Sequence, residues 1–153
     1  MTIIGKKSLA SYLKIFLDLV FFGGLIIFIG LPFFLKWYVN ILKSSYHENY
    51  YFLIVFLYFT GFFALYLFHE VRKVFKTLNR KNPFMMDNVI SLKRISICCF
   101  IISFAYIIKI FFYNSILTMI ITMIFIIGGL FIIVMAEVFK QAVEYKEEND
   151  LTI

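Results

Sequence analysis

The chain has 153 residues, 63% of them hydrophobic and 16% charged, with 21 Phe, 10 Tyr and a formal charge of +6. So little charge cannot cover a soluble surface, and the apolar residues fall in long unbroken blocks, the pattern of a chain whose solvent is lipid. The basic residues border those blocks, where anionic headgroups account for them, so the chain itself is not expected to bind nucleic acid.

The expected fold is all-α: one integral membrane domain, a four-helix bundle with spans at about 13–35, 50–69, 95–113 and 116–136. The first follows a basic N-terminal segment but is too long for a secretion signal and lacks a small-residue cleavage site, so it reads as a retained helix. Trp37, Tyr38, Tyr46, Tyr50 and Tyr51 bracket the next loop as interfacial aromatics do. The second span ends in the charged cluster from His69 to Lys73. Its continuation places Val71, Val74, Phe75 and Leu78 at helical spacing, which predicts a short amphipathic helix. Asn82-Pro83 breaks that helix, and Phe84, Val89, Ile90 and Leu92 then predict a second helix lying at the interface. Between the third and fourth spans, Tyr113-Asn114-Ser115 is the sole polar interruption. A tight turn at Asn114 avoids a single helix longer than any bilayer.

Counting Lys and Arg sets the orientation. Three precede the first span (Lys6, Lys7, Lys14 at its start), seven lie in the loop 70–94 and two in the tail 137–153, which makes twelve. The opposite side has only Lys36 and Lys43, so both termini and the loop are expected in the cytoplasm. The loop carries seven basic and two acidic residues, a net +5, and the tail two basic and five acidic, a net −3. The two segments could pair or jointly present a surface to a partner. The tail is expected to extend the fourth helix beyond the membrane.

Ionisable residues inside spans are the first functional suspects, because burying them is costly. Asp18 has Lys14 one turn away and is expected to pair with it; Lys109 lies one turn from the end of its span, within reach of the interface. His69, Glu70 and Glu137 share a membrane face but lack any metal-ligand spacing and read as ordinary helix-end charges. Cys98 and Cys99 read as small core residues, and Gly23-Gly24, Gly61 and Gly128-Gly129 as points of close helix approach. No catalytic motif, metal site or cofactor site is expected, and no enzyme activity.

Two stretches, NPFMMDNVISLKRI from Asn82 and AEVFKQAVEYKEENDLTI from Ala136, resemble the DUF2975 family of small bacterial four-span membrane proteins. The matching positions are Pro83, Phe84, Asn88, Val89, Leu92, Ala136, Glu137, Phe139, Glu148, Asn149, Asp150, Leu151, Thr152 and Ile153. Asn82 stands where a glycine often precedes the Pro-Phe pair, and a tail glycine is absent around Ala142. The resemblance implies a gene partner of the Cro/C1 helix-turn-helix type, for which the loop and tail would be the docking surface. Pro83, Phe84, Asn88, Leu92, Glu137, Glu148, Asn149, Asp150, Leu151, Thr152 and Ile153 are the expected partner-binding residues.

The expected function is therefore a non-enzymatic membrane regulator or signalling component of the bacterial plasma membrane, with membrane lipids and a second copy of the chain as further partners. A small transporter, channel or immunity protein against membrane-active peptides is the alternative. An enzyme on lipid substrates would need His69, Glu70 and Glu137 to converge at one membrane depth.

Overall fold

The computed structural model describes residues 9–42, 50–79, 84–113 and 115–151. They form four helices: α1 Leu9–Leu42, α2 Tyr50–Asn79, α3 Met86–Phe112 and α4 Ile116–Leu151. Each is long and apolar enough to cross a membrane. The turn position Asn114 and the break at Asn82-Pro83 lie outside the described residues.

Each helix packs mainly against its neighbours in the chain, α1 on α2, α2 on α3 and α3 on α4. Among the described side chains α1 buries Leu35 alone, whereas α3 buries ten residues between Asn88 and Ala105. The difference marks α3 as the centre of the bundle and α1 as an outer helix clothed in lipid. Ile15, Phe16, Leu19, Phe22, Ile26 and Ile29 of α1 are accordingly all exposed, as apolar side chains in a hydrocarbon solvent can be.

The α3–α4 contact rests on small residues. In α4, Thr122, Gly129, Ala136 and Val143 are buried and recur every seven residues, the period that keeps one seam of a helix against a partner. A methyl group at Gly129 would stand 3.2 Å from Cys99 Cβ and from the Phe100 ring. Ser96 Oγ donates to the Gly129 carbonyl at 2.9 Å, so the backbones approach closely and are tied by a buried hydrogen bond. Gly61 lets α2 meet Phe28 of α1, and Gly24 lies against Leu65, but Gly23 and Gly128 face open space. Only one glycine of each expected pair makes a close approach.

The segment before the third span differs from its sequence reading, whereas the fourth helix extends beyond its span as expected. No separate interfacial helix precedes the third span: α3 starts at Met86 and runs unbroken to Phe112. Its first turns are buried at Asn88, Val89 and Ser91 because they pack on the end of α2. Past its apolar stretch α4 continues to Leu151. Val143 is 3% exposed there, and the Phe139 ring lies 5.8 Å from that of Phe84, which fastens the extension to the start of α3.

Candidate functional site

The ion pairs among the described residues collect at one end of the bundle, where α1 and α3 begin and α2 and α4 end. Glu70 is its centre, 1% exposed although ionisable. Ser91 Oγ donates to Glu70 Oε2 at 2.7 Å, while Arg94 Nη1 and Lys73 Nζ approach Oε1 at 3.3 and 3.4 Å. A buried carboxylate requires such donors to offset the water it has lost. The two cations are about half exposed, so their heads remain partly hydrated. Two turns further along α2, Thr77 Oγ1 lies 2.6 Å from Asn88 Oδ1 of α3, extending the α2–α3 polar contact.

A second junction joins α1 to α2. Arg72 Nε donates to Asp18 Oδ1 at 2.5 Å, and the Arg72 guanidinium lies over the Phe21 ring at 4.5 Å and near that of Phe22 at 5.6 Å. The expected Asp18 partner, Lys14, is thus replaced by a residue 54 positions away. The planar guanidinium faces the carboxylate and the aromatic rings together, an arrangement that suits arginine. The pair is roughly 30% exposed on each side, and surface-like ion pairs of this kind contribute about 0–1 kcal/mol.

Two clefts flank these junctions. The first, about 250 Å³, is lined by Lys14, Asp18, His69, Arg72, Lys73 and Lys76. The second, about 380 Å³, shares Lys73 and Lys76 and adds Thr77, Asp87, Asn88, Ile90, Ser91 and Arg94. A third cavity, about 290 Å³, lies deeper among all four helices and is almost wholly apolar, lined by Phe28, Leu57, Phe68, Ile102 and Phe125 among others.

The sequence-predicted site residues scatter. Asn88 is buried at 1% exposure and unavailable to a partner, while Leu92 is half-buried. Phe84 is 43% exposed but leans on Phe139. Glu137 and Glu144 lie exposed on α4 with Lys140 between them, at 3.8 and 3.6 Å. Glu148 and Asn149 are exposed, too, and Asp150 and Leu151 belong to α4 by their backbone. Pro83, Thr152 and Ile153 lie outside the described residues.

Lys109 does not simply reach outward. Its ammonium sits 5.1 Å from the Phe56 ring and 5.7 Å from that of Tyr106, held by aromatic faces between α2 and α3. His69, Glu70 and Glu137 do not converge, and no group of three potential metal ligands occurs among the described residues. Cys98 and Cys99 are free and buried.

Sequence reasoning missed Ser91 and Arg72 as parts of the polar junctions. The spacing of Ser91, Cys98 and Ala105, seven residues apart, was a readable sign of a close-packed α3 face. Nothing local marks Arg72 as the partner of Asp18.

Four apolar helices of spanning length define a multi-pass membrane protein. A family model described as "Protein of unknown function (DUF2975)" matches residues 7–153, and the chain belongs to that family. No curated protein and no solved structure matches it.

Proposed function

We propose that this protein is a non-enzymatic, membrane-anchored docking component whose α4 extension binds a basic cytoplasmic protein. One observation carries the reading: α4 runs to Leu151 as a continuous helix, 15 residues beyond Ala136. Those residues hold five acidic and two basic side chains, with Val138 and Tyr145 exposed at 53% and 69%. An ordered helix presenting carboxylates beside an exposed aromatic ring offers charge complementarity together with an apolar anchor.

The distribution of Lys and Arg favours a cytoplasmic position for the tail. The most concrete partner is a small helix-turn-helix regulator of the Cro/C1 type, whose basic DNA-binding surface an acidic helix would attract and occupy. Membrane retention of such a regulator would keep it from DNA.

Affinity purification of the tagged protein from its native membranes in mild detergent, followed by mass spectrometry, tests this. The full chain is compared with one truncated after Tyr145 and with Glu144→Lys/Glu147→Lys/Glu148→Lys. A small basic helix-turn-helix protein should accompany the full chain only, and raised salt should release it. Equal recovery from all three forms, or none from any, overturns the docking reading.

A further inference from the structure

The acidic extension and the basic clefts are separate surfaces, since no α4 residue lines either cleft. From the clefts we infer that the junction of α1, α2 and α3 is a binding site for a phosphate group at the level of the lipid headgroups. This rests on the geometry below and does not depend on the docking role of α4.

Five cations line the two clefts, Lys14, Arg72, Lys73, Lys76 and Arg94, against the carboxylates of Asp18 and Asp87. Asp18 engages Arg72, and Glu70, buried beneath, engages Lys73 and Arg94. These carboxylates fix three of the cations in place. Lys14 and Lys76 line the clefts too, and neither makes an ion pair among the described residues. The site therefore combines fixed cations with two that still have charge to give.

Its position also suits a phosphate. Arg72 follows Phe68 by one helical turn, and Lys14 precedes the apolar block of α1, so both lie where hydrocarbon gives way to headgroups. A volume of 250 Å³ exceeds that of several waters at about 30 Å³ each, ample for a phosphate group. Lysine and arginine bind phosphate by charge-assisted hydrogen bonds, which choline-masked or uncharged headgroups match less well. The phosphate could belong to an anionic phospholipid or to a soluble anion, and the same side chains would serve either.

The test uses the full-length protein in lipid nanodiscs and in mild detergent. Retention of phosphatidylglycerol against phosphatidylcholine is read by native mass spectrometry, and binding of inorganic phosphate by calorimetry. Variants are Lys14→Gln/Lys76→Gln, the charge-keeping Lys14→Arg/Lys76→Arg, and Lys36→Gln at the opposite end of α1. Selective retention of phosphatidylglycerol should weaken about 25-fold in the glutamine pair, roughly fivefold per lysine. The arginine pair and Lys36→Gln should keep it, which separates loss of charge from loss of fold. If inorganic phosphate binds with the same variant pattern and phosphatidylglycerol does not, the site takes a soluble anion. Equal retention of both lipids with no phosphate binding, or a glutamine pair that binds like the unaltered chain, overturns the inference. Recovery of a protein partner by the tail has no bearing on any of these readings.

Discussion

Glu70 shows how one residue organises its surroundings. It is buried to 1% exposure, yet its cationic neighbours are about half exposed, so the Ser91 hydroxyl is its most fully buried donor. Hydrogen bonds to charged groups contribute about 1.5–3 kcal/mol, more than the average of about 0.6 kcal/mol for polar contacts between membrane helices. Ser91→Ala should therefore destabilise the protein by about 2 kcal/mol, and Ser96→Ala, which loses the bond to the Gly129 carbonyl, by about 0.6 kcal/mol. Unfolding in mixed micelles with rising dodecyl sulfate would rank the two; a larger loss at Ser96 would show that Glu70 leans on its lysine and arginine instead. Neither partner of Glu70 on α3 could be read from sequence, because Ser91 and Arg94 look like the polar flank of a span until α2 is packed against them. Asp18 carries the same lesson. Its local neighbour Lys14 offered a plausible ion pair, and tertiary packing supplied a better one in Arg72.

Helices themselves were legible, because apolar blocks of spanning length leave the backbone no alternative in lipid. The start of α3 was not, since Asn88 and Ser91 have the polarity of a surface segment and their burial depends on Thr77 and Glu70 of another helix. The seam of α4 lies in Thr122, Gly129, Ala136 and Val143, of which the glycine alone stands out by residue type. That seam predicts where the bundle is least forgiving. Gly129→Leu would drive a side chain into Cys99 and Phe100, and overpacking of this kind costs about 1–3 kcal/mol. Cys98 and Cys99, 3% and 5% exposed, report the event directly. They should resist maleimide in mild detergent and react within minutes in the Gly129→Leu protein; thiols equally protected in both would mean that α4 slides to accommodate the change.

At the scale of the molecule, charge is polarised. The clefts gather cations on α1, α2 and α3, whereas the end of α4 is acidic, and both lie at the end of the bundle remote from Trp37, Tyr38 and Tyr51, which are exposed at 66%, 55% and 80%. Aromatic residues of this kind sit at the opposite headgroup layer. The buried native thiols provide a silent background for testing orientation. A cysteine introduced at Lys36 should label with an impermeant maleimide on intact cells, and one at Glu147 only after the membrane is opened. Labelling of Glu147→Cys on intact cells would invert the topology and remove the tail from any cytoplasmic partner.

The unbroken course of α4 has a mechanical consequence. Its 36 residues make a rod about 54 Å long, of which a bilayer core covers about 30 Å. With the outer end as pivot, a tilt of about 10° carries the far tip sideways by about 9 Å. Helices adjust their tilt to bilayer thickness, and because α4 is packed along α3 and fastened to its start through Phe139, such a tilt would carry the two helices together as one lever and move the acidic tip by nearly the diameter of a helix.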